Sequence, residues 1–156
     1  MDHLSFMKMA LEEAAKGMRG GEGGPFGAVI ALEDQVIGRG HNTVLLSRDP
    51  TAHAEVNAIR DACQKLNSPH LDGAVLYSNF EPCPMCLAAI YWSHIRTLYY
   101  AKGRSDAERM GFMDKHLYDE ISRQENERAL ITNQIPVPEM DDLMNEWMGM
   151  KGKKLY

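Results

Sequence analysis

Two short stretches hold residues that could do chemistry together. TAHAE at 51–55 supplies His53 and Glu55, and NFEPCPMC at 79–86 supplies Cys83 and Cys86. One imidazole and two thiolates form the ligand set of a catalytic zinc with one position left open, whereas a structural zinc closes its shell with a fourth protein ligand. Pro82 and Pro84 flank Cys83. Proline suits the first helical turn, so the cysteines are expected where a helix begins. There the positive end of the helix dipole favours thiolate over thiol, and so favours metal. Glu55 follows His53 by two residues, a spacing that puts side chains on opposite faces within a regular helix. Both serve one site only if His53 lies at the helix mouth, which leaves Glu55 free to shuttle protons beside the metal and not to ligate it. Each half alone has a mundane reading, as an HAE on a helix or as a Cys-x-x-C redox pair. Together, in this order, they predict one zinc per chain, held by His53, Cys83 and Cys86.

The elements that must position these residues are legible in the periodicity. Leu4, Met7, Leu11, Ala14 and Met18 recur at three- and four-residue steps and predict an amphipathic first helix. Glycines at 20, 21, 23 and 24 end it. GEGGPFG follows no predicted strand and lacks the lysine and serine of a phosphate-binding loop, so it reads as plain loop. Residues 28–32 (AVIAL) and 36–40 read as a hairpin turning at 33–35. Helical spacing returns at 54–66, where Ala58, Ile59, Ala62 and Leu66 share a face with Cys63, which reads as core packing. A buried strand at 74–77 delivers the cysteines, the helix carrying them runs over 84–92, and TLYYA at 97–101 is the next strand. Strand, helix, strand at that spacing predicts a crossover and a partly parallel sheet, with the active site beyond the strand ends. A short helix at 115–121, a last strand at 129–135 and a terminal helix at 138–148 complete the reading.

Composition sets the class. A chain of 156 residues, 44% apolar and 25% charged, suits one globular domain. No apolar run reaches the roughly 18 residues of a membrane span. The opening MDHLSFMKMALEEAAKG has acids early and lacks a signal peptide's apolar core, and three cysteines suggest no disulfide framework, so a cytoplasmic protein is expected. Net charge is −5, and nucleic-acid binders carry a basic footprint. Only KGKK at 151–154 is locally basic, behind Glu139, Asp141, Asp142 and Glu146, and it reads as a solvated helix end. Neither a nucleic-acid nor a membrane partner is expected.

H-x-E followed by P-C-x-x-C is the signature of the zinc nucleobase deaminases. The chain resembles the cytidine deaminase-like superfamily, and within it the small bacterial guanine deaminases. GGPFGAVI at 23–30, RDPTAHAE at 48–55, EPCPMCLAAIYW at 81–92, SDAERMGF at 105–112 and the final Tyr156 carry the likeness over nearly the whole length. The run LAAIYW departs from it by lacking the usual glycine. The resemblance implies a three-layer α/β/α fold with a five-stranded mixed sheet. It implies zinc-dependent hydrolysis of guanine to xanthine and ammonia, with Glu55 moving the protons. It also places Phe26, Asn42 and Asp114 around the base: an apolar stacking surface, a donor and acceptor, and an acceptor for ring N–H groups. Taken alone, these three would read as a core Phe, a loop Asn and a surface Asp.

Tyr156 has a reason of its own. Gly149 and Gly152 supply hinges, and Leu155 and Tyr156 close a polar tail with an apolar, aromatic end. A segment that docks into a pocket looks like this, and hydrolysis of a small base needs a cover. The tail at 149–156 is expected to be that lid, in a homodimer where it can reach a partner's site by domain swapping. Three readings compete. A tRNA adenosine deaminase shares the zinc motif but needs a basic groove. A cytosine or other nucleobase deaminase needs a different base pocket. A catalytically silent zinc-binding assembly module would have no use for Glu55, which is costly to bury unpaired.

Overall fold

Alternation along one strand decides the architecture. In β1 (Gly27–Leu32), Ala28 and Ile30 bury toward one face and Val29 and Ala31 toward the other. The computed structural model, which describes residues 2–156, covers both faces. On one side Ala54, Ala58 and Ala62 of α3 (Ala54–Leu66) and Ile90 of α4 (Pro84–Trp92) close over Ala28, Ile30 and Leu76. On the other, Phe6 and Ala10 of α1 (His3–Arg19) cover Val29, Ala31 and Tyr77. The result is three layers, helix, sheet and helix.

The sheet is mixed. β2 (Gln35–His41) and β3 (Val75–Phe80) flank β1 antiparallel, and β4 (Thr97–Lys102) runs parallel to β3, giving the order β2-β1-β3-β4. Parallel neighbours need a crossover, and α4 is that crossover. Among the described residues the sheet has four strands, so the expectation of five is corrected. The apolar run at 129–135 is irregular and exposed, and pairs with no strand. Apolar residues there resemble a buried strand, but among the described residues nothing buries them. β4 is left as an edge, with Tyr99 and Tyr100 exposed.

Close approach of helix and strand depends on glycine. A Cβ on Gly40 would lie 2.5 Å from the carbonyl oxygen of Ala54, so α3 rests on β2 nearer than any side chain permits. Gly27 does the same under α1, beneath the backbone of Ala14. This corrects the face expected for α1. Its buried residues are Phe6, Ala10, Ala14 and Gly17, while Leu4 is 64% and Leu11 58% exposed. Small residues face the sheet because they let the helix sit close, and the larger leucines fall to the flank beside Phe80 and Ala101.

Two short helices were not anticipated: α2 (Val44–Ser47) and α5 (Arg104–Arg109), too brief to show a period. α6 (Asp114–Ser122) and α7 (Glu139–Gly149) fall where expected, within a residue or two. From residue 121 to 156 every side chain is exposed.

Candidate metal centre and base pocket

Both helices that carry the ligands begin at them. His53 is the N-cap of α3 and Cys83 the N-cap of α4, each in extended backbone and neither spending its side chain on the cap. His53 instead accepts the Asn57 amide on its carbonyl oxygen at 2.9 Å, which leaves the ring free to turn outward. Pro84 opens α4, and Cys86 follows in its first turn. Two positive helix ends therefore converge on one point, where anionic sulfur is favoured.

His53 Nδ1 lies 3.6 Å from Cys83 Sγ and 3.5 Å from Cys86 Sγ. A tetrahedral zinc about 2.3 Å from sulfur and about 2.0–2.1 Å from nitrogen holds those atoms roughly 3.5 Å apart. The trio thus fits zinc as it stands. Without metal the thiols share a proton: the Cys86 S–H, donating to it, holds Cys83 down to about 4. Cys86 is pushed up by that same bond and by burial. The His53 imidazole is raised by its hydrogen bond to Cys83. A divalent cation takes both sulfurs as thiolates and releases their protons on binding.

Glu55 lies in the first turn of α3, buried, accepting the Ser78 hydroxyl at 3.3 Å. Burial, the largest cause, raises its pKa. A carboxylate so raised is suited to take and return protons.

A cavity of about 430 Å³ opens in front of the trio, lined by His53, Glu55 and Cys83 together with Phe26, Asn42 and Asp114. Seven of the eight residues singled out from the sequence therefore meet, since Cys86 completes the ligand set. Asn79 secures the glycine loop that carries Phe26: its Oδ1 accepts the Gly27 amide at 2.9 Å and its Nδ2 donates to Pro25 O at 2.8 Å. The Phe26 ring stands edge-on to Phe80 and Phe112 at 5.2 and 4.7 Å. Asn42 Oδ1 accepts the Val44 amide at 3.1 Å, which fixes the side chain and leaves its NH₂ as donor. Asp114 opens α6, half-buried, its pKa raised chiefly by burial and next by the Cys83 thiolate.

Tyr156 is the eighth and lies elsewhere. It is 76% exposed, and its ring centroid is 6.1 Å from that of Trp92 at the opposite end of α4 from Cys83. Sequence reasoning missed Ser78, Phe80, Phe112 and the group Glu81, Arg104 and Tyr118. Phe80 and Glu81 stood in the stretch before the first cysteine and Phe112 in SDAERMGF, but nothing in their types marked them.

Comparison with known proteins agrees with this site. The family described as the cytidine and deoxycytidylate deaminase zinc-binding region matches residues 1–102. A guanine deaminase of Bacillus subtilis is 44% identical over 156 residues, all of both chains. The X-ray structure of guanine deaminase from Bacillus subtilis superposes with a TM-score of 0.95, covering 100% of this chain and 99% of that one at 44% identity. A guanine deaminase from Nitrosomonas europaea superposes at 0.66, with 33% identity over 72% of this chain and 64% of its own. A tRNA-specific adenosine deaminase of Aquifex aeolicus is 44% identical over 96 residues, 62% of this chain and 63% of its own. With the zinc-fitting trio at two helix mouths and the buried glutamate beside it, these likenesses show that the chain belongs to the cytidine and deoxycytidylate deaminase zinc-binding family.

Proposed function

We propose that residues 1–156 form one zinc-dependent hydrolase domain that deaminates guanine to xanthine and ammonia. The observation that carries the substrate is Asp114, a half-buried carboxylate lining the same cavity as the zinc trio and Glu55. Guanine offers adjacent ring N–H and amino donors, which a carboxylate can accept together; adenine and cytosine lack that pair. Likeness to a guanine deaminase over the full chain supports the reading, whereas the likeness to a tRNA-specific adenosine deaminase covers 62% of it.

His53, Cys83 and Cys86 would hold one zinc, which supplies the Lewis acidity that makes water nucleophilic near neutral pH. Glu55 takes the proton from the attacking water and delivers it to the departing amine. Asp114 holds the base by its donors, the Asn42 NH₂ donates to a ring acceptor, and Phe26 offers an apolar face for stacking. Ammonia and xanthine released from guanine by the zinc-loaded protein, against adenine, cytosine, guanosine and tRNA, test the assignment. Turnover of tRNA alone would replace it with the adenosine deaminase reading.

Leu130, Ile131 and Ile135 are among the exposed residues of the segment, as are Leu143 and Trp147 of α7. A second copy of the chain is the occupant, forming a homodimer in which the tail at 149–156 reaches across and Tyr156 closes the partner's cavity. Free thiols at all three cysteines suit a cytoplasmic location. No helix among the described residues is long and apolar enough to cross a membrane.

A further inference from the structure

Four residues form a closed ring between the metal loop and the helix that carries Asp114. Tyr118 lies one turn beyond Asp114 on α6, and its hydroxyl donates to Pro82 O at 2.6 Å, the carbonyl just before Cys83. Glu81 precedes Pro82. Its carboxylate accepts the Arg104 amide at 3.0 Å, and the guanidinium through Nε at 3.2 Å and Nη2 at 2.7 Å. The same guanidinium stands 3.8 Å over the Tyr118 ring. Arg104 opens α5, so the ring ties α5, α6 and the loop before α4 into one unit.

Beyond its contacts with α4 and α5, little else holds α6 in place. No residue of α6 is buried, and the chain beyond it is exposed throughout. Ahead of Asp114 the anchor is Phe112 on Phe26, and behind it the anchor is Tyr118 on Pro82. Pro82 and Pro84 have no amide hydrogens, so the metal loop has few backbone donors with which to fix itself. We infer that the Glu81–Arg104–Tyr118 ring is a positioning device that sets the base-reading carboxylate of Asp114 against the metal at Cys83, and so sets base selectivity. This rests on the reading of Asp114 given above.

Tyr118→Phe tests it in the zinc-loaded protein, because it keeps the ring and the stacked guanidinium and removes one donor. Zinc content and thermal midpoint should hold, while kcat/KM on guanine falls about ten- to a hundredfold, the loss expected when a binding group shifts by an ångström or less. Preference for guanine over adenine should narrow with it. Arg104→Lys, which keeps charge but not the planar fork, should give a smaller loss in the same direction. The deciding measurement is the double variant. In an Asp114→Ala background, adding Tyr118→Phe should change guanine turnover less than about twofold, because Tyr118 acts through Asp114. Additive losses would overturn this inference alone. Guanine turnover unmoved by Asp114→Ala would overturn the guanine reading, and the inference with it.

Discussion

The stretch from α1 to β4 and the stretch that follows are built by different rules. Through residue 102 the chain buries its apolar side chains against itself: Val29, Ile30, Leu76 and Tyr77 are sealed between helices on both faces. After it, apolar residues are sparser and mostly face outward, and Ile131 is 87% exposed. The family match ends where the first stretch ends, while the likeness to the Bacillus subtilis guanine deaminase continues to residue 156. In the function proposed above, the reaction chemistry falls before that line, while of the base-contacting residues Phe26 and Asn42 fall before it and Asp114 and Tyr156 after it. The zinc trio and Glu55 belong to the sealed part, whereas Asp114 and Tyr156 belong to the open one. A rigid body that fixes the reaction, joined to a segment free to vary, lets one chemistry serve different bases.

If that division holds, damage to the sealed part should abolish chemistry on every base. Cys83→Ala should show the largest effect: no zinc by elemental analysis, no turnover, and a lowered thermal midpoint, since metal-binding energy is also folding energy. A chelator should act the same way on the unmodified protein. Active, metal-free Cys83→Ala protein would undo the entire assignment. Glu55→Gln comes next. It should keep its zinc and its midpoint yet lose about 10²–10⁴-fold or more in kcat, because the amide keeps the shape and cannot carry a proton. An emptied metal site in that variant would make Glu55 a ligand.

What could be read from the sequence follows the same division. α3 and α4 were placed from residue to residue, because Pro84 and the residue type at each helix mouth are local signals. Phe26, Asn42 and Asp114 came through the family resemblance; by residue type alone each looked ordinary. The face of α1 was misjudged because Ala10, Ala14 and Gly17 carry no hydrophobic signature, and closeness to the sheet, not bulk, selects them. The supposed fifth strand failed for the opposite reason. Leu130, Ile131 and Ile135 are apolar as a buried strand's residues are, yet all three stand exposed; the proposed dimer would cover them. Glu81, Arg104 and Tyr118 stayed hidden because the ring joins residues 37 apart with no shared motif (118 − 81 = 37).

Asp114→Ala sharpens the division, since it strikes base choice and leaves the reaction machinery whole. Zinc should remain, and guanine turnover should fall by about 2–4 kcal/mol in transition-state terms, the scale of lost hydrogen bonds to a charged group. Other amino-bearing bases should lose much less. Equal losses on every base would make Asp114 a structural residue of the sealed part.

Removal of residues 151–156 should have the smallest effect and bears on the open part alone. A chain end is ordinarily dispensable, and here Tyr156 lies by Trp92, at the far end of α4 from the metal, while Lys153 bonds back to the Met148 and Met150 carbonyls. Zinc content and thermal midpoint should therefore hardly move. Activity on guanine should fall at least about tenfold, as expected when a closing element that excludes water is lost. Whose cavity the tail closes is settled by mixing. Glu55→Gln chains keep a tail but cannot react, and truncated chains can react but lack a tail. If the tail crosses to a partner, unfolding and refolding the two together should recover a substantial part of the lost activity, because the tail of one completes the cavity of the other. If each tail closes its own cavity, the mixture should show no more activity than the truncated chains supply. Tyr156→Ala in place of the deletion should reproduce the loss if the ring is the sealing group, and Tyr156→Phe should restore most of it if its apolar face does the sealing.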